Sequence, residues 1–279
     1  MSSSNDSYQI QYTSPFVMGY NDLKDGILRL PLARHLAKQD IRMRYRRTVI
    51  GPFWTVLNAI IFVAILGVVY SFLFKLDLQQ YLPFFSIGYF VWMTMIALCM
   101  ESSTSFTSAE LIIKNMRVPY TTHIIRCVWR NVLTFFHMIP VAIALSLYFD
   151  VTFDLIAILK IFLGILLLIV NGTWVAILVG IVATRYRDFQ QIVATVLQIV
   201  FFITPIFWDP KILEGHKWPE LLLADLNPFF QQIQVIRSPM IGWEIDWSVY
   251  GIMAVASIFG LLIATLSLGW AKRHISIWL

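Results

Sequence analysis

Four arginines, Arg42, Arg44, Arg46 and Arg47, crowd the short polar run that precedes Gly51-Pro52. An apolar stretch then opens with Phe53 and Trp54 and reaches Phe74 without a charge. Cations beside such a stretch are retained on the cytoplasmic side of a membrane, so the cluster reads first as a topology signal. The other residues that could do chemistry are dispersed. The five histidines stand at 35, 123, 137, 216 and 274 with no His-Glu-x-x-His pattern, and no metal site is expected. Cys99 and Cys127 are the two cysteines; they fall in or near apolar segments and read as buried thiols. Asp150 and Asp154 have helical spacing but lie between apolar segments, which suits solvated loop acids better than a catalytic pair. Asn171-Gly172-Thr173 matches a glycosylation sequon inside an apolar segment and is taken as chance. No Gly-Lys pair occurs, so the phosphate loop that binds ATP is absent. The apolar segments themselves hold almost no ionisable groups. Ion-coupled carriers need such groups at membrane depth, and so would catalysis inside the bilayer. Energy for active transport would have to come from outside this chain.

The elements that would hold these residues follow from composition. The chain has 279 residues, 58% hydrophobic and 13% charged, where soluble domains carry about 25% charged residues. Its mean hydropathy is +0.72. A net charge of +5 does not indicate nucleic acid, because the basic residues form short runs between apolar segments. Residues 1–30 hold no apolar core of signal-peptide length. The expected class is an all-α polytopic membrane protein. Residues 1–21 read as a polar tail. Residues 22–48 read as an amphipathic helix in the membrane interface, with Leu23, Ile27, Leu30, Leu36, Ile41 and Tyr45 among charges and a break or kink at Pro31. Residues 49–279 form a transmembrane domain. A helix needs about 20 apolar residues to span, and six spans are expected at about 52–74, 82–106, 128–149, 155–184, 189–208 and 247–270. With the N-terminus inside, the inner pieces hold 16 Lys/Arg against 7 Asp/Glu, and the outer pieces 5 against 9. That bias places both termini in the cytoplasm. Ala176-x-x-x-Gly180 is a small-residue pair suited to helix packing. In the outer segment 209–246, Leu221–Leu226 and Phe229–Ile236 are too short to cross. They can re-enter the membrane as helices between spans 5 and 6 if protein satisfies the backbone.

Four stretches then fall into one pattern: DIRMRYRRTVIGPFWTVL (40–57), AELIIKNMRVPYTTHIIR (109–126), RYRDFQQIVATVLQIVFFITPIFW (185–208) and NPFFQQIQVIRSPMIG (227–242). In this order the chain resembles the permease subunits of ABC-2 type exporters that move O-antigen or capsular polysaccharide on a lipid carrier. The polar residues before the first match depart from that pattern.

The resemblance implies a homodimer in the bacterial inner membrane, docked on two copies of a separate ATPase subunit that holds the ATP and Mg; this chain would hold no cofactor. It assigns ATPase coupling to Ala109, Glu110, Leu111, Lys114, Asn115 and Arg117, with Tyr186, Arg187 and Asp188 as a second contact. An undecaprenyl diphosphate carrier would bring its head group to Arg42, Arg44, Arg46 and Arg47, since arginine binds phosphate bidentately. Topology retention and anionic lipid binding would use the same arginines. The C–H faces of sugars stack on aromatic rings. Trp54, Phe62, Tyr70, Phe201, Phe202, Phe207 and Trp208 are therefore the candidate lining of a glycan channel, with Phe229 and Phe230 at an outer gate. O-antigen is favoured over capsule, teichoic acid or another small or lipidic substrate. A membrane enzyme would need a cluster of acids or a histidine beside a cavity, and the sequence offers none.

Overall fold

The computed structural model describes residues 14–213 and 215–279. Among these every regular element is helical. The chain opens with α1 (Pro15–Leu28), where the Ser14 hydroxyl accepts from the Val17 amide at 3.3 Å and Pro15 takes the first turn. A break at Arg29 separates it from α2 (Leu30–Arg44), with Pro31 in the first turn of the new helix. Pro31 cannot donate to the preceding turn, and the break expected there falls at Arg29, two residues earlier, dividing the segment into two helices. Residues 15–21, expected as tail, are helical; residues 1–13 lie outside the described part. Packing explains this extension. A Cβ on Gly19 would stand 1.9 Å from the Thr265 carbonyl oxygen, and one on Gly269 would stand 1.7 Å from that of Pro15. The backbones meet where only glycine fits.

Arg47 and Gly51 take positive φ in the turn before α3 (Phe53–Phe74), which ends in a left-handed Lys75. The next helix, α4 (Leu78–Ser103), is the most buried of the long helices and forms the axis of the core. Its expected end near 106 is not reached. The hydroxyls of Ser102, Ser103, Thr104, Ser105, Thr107 and Ser108 each donate to the carbonyl three residues back. This run competes with helical bonding and converts the chain to a 3₁₀ turn over Thr107–Ala109. A short α5 (Glu110–Asn115) follows, then α6 (Tyr120–Tyr148). The latter begins two turns before the expected 128. Pro119 offers it no side-chain cap, and Asp22 of α1 supplies one instead, accepting from the Thr121 amide at 2.9 Å and the Thr121 hydroxyl at 2.8 Å.

Asp154 caps α7 (Leu155–Arg185) through the Ala157 amide at 2.7 Å, so this loop acid is structural. Ala176 is fully buried, and Gly180 packs against Ser105 and Phe106 at the end of α4, the use expected for small residues.

The expected fifth span is shorter than its hydropathy suggests. α8 (Phe189–Ile203) has 15 residues, about 22 Å at 1.5 Å per residue. Pro205 forces Thr204 into extended geometry and stops it. The irregular Thr204–Trp208 piece is satisfied by protein. Thr204 Oγ1 accepts from Asn227 at 3.0 Å, the Pro205 carbonyl from Arg237 at 3.0 Å, and the Phe207 carbonyl from Tyr81 at 2.5 Å. Among the described residues five helices, α3, α4, α6, α7 and the last long helix, Trp247–Ala271, are long and apolar enough to cross a membrane. After α9 (Lys217–Glu220) and a π-helical turn over Leu221–Asp225 comes α10 (Pro228–Met240). Asn227 caps it by accepting from the Phe229 and Phe230 amides at 3.0 and 3.2 Å. Gly164 lets the Val235 carbonyl approach; a Cβ there would stand 2.6 Å away. α11 (Trp247–Ala271) and a terminal turn, α12 (Ile275–Trp278), close the chain.

Candidate functional site

Three groups of residues gather at defined places. The first joins α5, the α7–α8 turn and α12. A cavity of about 290 Å³ is bounded by Thr107, Glu110, Thr184, Arg187, Gln190 and Trp278. Residues 110 and 187 are far apart in sequence, and the fold brings them to one wall. Ala109 is buried and anchors the segment, while Lys114 closes an i,i+4 pair on Glu110 at 2.6 Å and Asn115 donates to the Leu111 carbonyl at 2.8 Å. The Arg117 carbonyl accepts from Arg29 at 3.5 Å, tying the segment to the break between α1 and α2. Leu111 is 79% and Tyr186 62% exposed. Arg187 and Asp188 are exposed as well. The guanidinium of Arg185 lies between the Tyr186 and Trp278 rings, at 5.8 and 5.6 Å.

The second group holds the arginines. Arg42, Arg46 and Arg47 are exposed and make no ion pair among the described residues. Arg44 differs, bonding Glu101 of α4 at 2.7 Å. Glu101 also receives Arg130 at 2.7 Å and Asn131 at 2.9 Å. Asp40 binds Arg126 and, at 2.6 Å, Arg130. The network fastens α2 to α4 and α6, with Ala33 and Ala37 fully buried beneath it and Arg34 lying 4.1 Å above the Trp129 ring. Burial pushes the Asp40 carboxyl up, but the bonds and charges of Arg126 and Arg130 outweigh it and hold the group below its ordinary value. The sequence treated all four arginines alike. It could not show that carboxylates distant in the chain had already claimed one of them.

The third group is aromatic. Phe62 stacks on Tyr89 with centroids 4.5 Å apart, and Tyr70 on Phe207 at 5.3 Å. Phe201 lies 5.8 Å from Trp92 and 5.6 Å from Phe207. Phe62, Tyr89, Trp92, Leu197, Phe201 and Phe202 border a groove of about 460 Å³ between α3, α4 and α8. Trp208 reaches the edge of this set by donating to the Phe202 carbonyl at 3.3 Å. Trp54 does not join it; it stands 45% exposed near the start of α3. Phe229 meets the Trp92 ring edge-on at 5.7 Å, whereas Phe230 is buried below Arg237.

Sequence reasoning missed Tyr89 and Trp92, which sit on the most buried helix and supply the groove's inner wall. It also missed Arg237. This guanidinium is fully buried, lies 3.9 Å above the Phe84 ring, and donates to Gln234 at 3.0 and 3.1 Å and to the Pro205 carbonyl. An Asn-Pro helix start nine residues earlier was the available signal that its helix turns inward.

Comparison with known proteins agrees with this architecture. The sequence profile of the ABC-2 type transporter family matches residues 32–241. An O-antigen export system permease protein RfbA of Klebsiella pneumoniae is 22% identical over 224 residues, covering 80% of this chain and 85% of the relative. A second from Klebsiella pneumoniae is 22% identical over 233 residues, covering 82% and 88%. One from Myxococcus xanthus is 22% identical over 204 residues, covering 69% and 74%.

Proposed function

This chain belongs to the ABC-2 type transporter family, and we propose on that footing that it is the permease of an ATP-driven exporter of lipid-linked polysaccharide, O-antigen first. The observation that carries the reading is the exposed face formed by α5 and the α7–α8 turn. A chain without a phosphate loop needs an external ATPase, and this face offers Leu111 and Tyr186 beside paired charges at the end of three long helices. Closure of two ATPase subunits would push α5. Because the 3₁₀ turn joins α5 directly to α4, the push reaches the helix that carries Tyr89 and Trp92. The aromatic groove would present ring faces to sugars without gripping one register. The exposed Arg42, Arg46 and Arg47 would meet the diphosphate of an undecaprenyl carrier, and a second copy would complete the channel.

The orientation has support beyond charge. α1 is clasped to the C-terminal half of α11, with Lys272 bonding Asp22 at 3.0 Å. α1 and the C-terminal end of α11 thus lie at one end of the bundle, which supports an even number of crossings between them. In this reading α8 with Thr204–Trp208 would serve as the sixth crossing, and the arginine cluster supports a cytoplasmic side for that shared end in a bacterial inner membrane.

The test is a tagged purification from the native host in mild detergent, with ATPase activity measured with and without undecaprenyl-linked glycan. A stoichiometric ATPase partner whose hydrolysis responds to the glycan lipid is expected. A permease that purifies without any ATPase would sink the reading.

A further inference from the structure

Arg44, Arg126 and Arg130 share a cavity of about 310 Å³ with Asp40, Glu101 and the hydroxyls of Thr104, Ser105 and Ser108. It opens beside Arg44, whose side chain is 49% exposed. His123 also lines it and is 2% exposed, and neither of its ring nitrogens has a hydrogen-bond partner among the described residues. A buried imidazole in that state is costly in a folded chain, and it is presented to a polar space where a ligand could satisfy it.

The charges define the ligand. Three guanidiniums surround two carboxylates, leaving one positive charge in excess and several N–H donors beyond the ion pairs. A bare phosphate would answer the excess charge but would face both carboxylates. A neutral sugar would answer the carboxylates but leave the excess cation. A sugar bearing a phosphate answers both. Its phosphoryl oxygens accept from the arginines, its hydroxyls donate to Asp40 and Glu101, and the remaining polar atoms pair with His123 and the serines. We propose that this cavity, between α2, α4 and α6, binds a glycosyl phosphate. Its volume lies at the lower end for small-molecule sites, which suits one sugar and its phosphate and not a length of polymer. A free sugar phosphate and the first sugar of a lipid-linked chain share this chemistry. The second source rests on the export reading above.

Equilibrium dialysis of the intact permease in detergent, with radiolabelled glucose 1-phosphate as probe, tests the site. Retention is expected, with neither inorganic phosphate nor glucose displacing the probe at equal concentration. His123→Ala and Ser108→Ala should each weaken retention by about tenfold, the loss of roughly one good hydrogen bond. Ser108 is exposed at the rim, so its variant keeps the test valid if the histidine variant misfolds. A short-prenyl diphosphate-linked sugar serves as competitor: stronger displacement assigns the site to the carrier's first sugar, and weaker displacement to free glycosyl phosphates, both within the proposal. Absence of retention at millimolar probe overturns it, as does equal displacement by inorganic phosphate or unchanged retention in both variants. The export reading is judged separately, by the ATPase partner, so either can fail alone.

Discussion

Asp40 is a single carboxylate that holds two guanidiniums, and its worth can be read from pH. Its folded-state value is depressed below the ordinary 3.8. The stabilisation is therefore complete above about pH 4 and is lost as pH falls through the depressed value, where the folded carboxyl finally takes a proton. Asp40→Asn should cost about 2 kcal/mol, between the small worth of exposed pairs and the larger cost of breaking buried ones, because the side chains here retain 11–20% exposure. Melting temperature in detergent at neutral pH would show the loss, and the variant's acid limb should be flatter than that of the parent. A variant that melts like the parent at pH 7 would show that Arg126 and Arg130 find other partners. At this scale the sequence disclosed charge without pairing. Asp40 and Arg126 stand 86 positions apart, and nothing local marks Asp22 as the cap of α6 or Arg237 as a group held by a carbonyl and an amide.

At the scale of elements, α5 is six residues with no buried side chain. Its helix is held by the Glu110–Lys114 pair, by its tether to α4 and by the partly buried Ile113, which packs against the core, while Leu111 faces outward. Substituting its outward side chain should therefore leave the fold alone. Leu111→Asp is expected to keep the melting temperature of the parent while weakening ATPase co-purification about tenfold or more, as removal of an apolar anchor does at interfaces. Normal recovery of the ATPase would move the docking face elsewhere. Hydropathy made the long helices legible because their length and apolarity are local properties. Their ends were less so. α4 stops where a run of hydroxyls bonds back to the chain, and α8 stops at a Thr-Pro step. α6 begins early because a distant aspartate caps it. The aromatic groove was half legible: the rings of α3 and α8 were named, while Tyr89 and Trp92 belong to a helix buried all round, on which no face stands out. Trp54 was included by residue type and lies apart.

At the scale of the molecule, the first and last long-range partners are α1 and α11, which meet at Gly19 and Gly269. Gly269→Ala introduces one methyl where a carbonyl oxygen already stands, and overpacking of this kind costs about 1–3 kcal/mol. The expected result is faster proteolysis within α1 and a lower melting temperature, with the spans still inserted; an unchanged digestion pattern would mean that α1 docks by other contacts. The same clasp bears on how the protein is made. A ribosome finishes α11 last, so α1 leaves the tunnel first and must wait through nearly all of synthesis before its seat exists. Until then Gly19 and the rest of the α11-facing side of α1 remain uncovered, although Asp22 can already cap α6. A chain cut short before α11 never covers them, and a quality-control protease could tell finished from unfinished copies by reading the N-terminus alone.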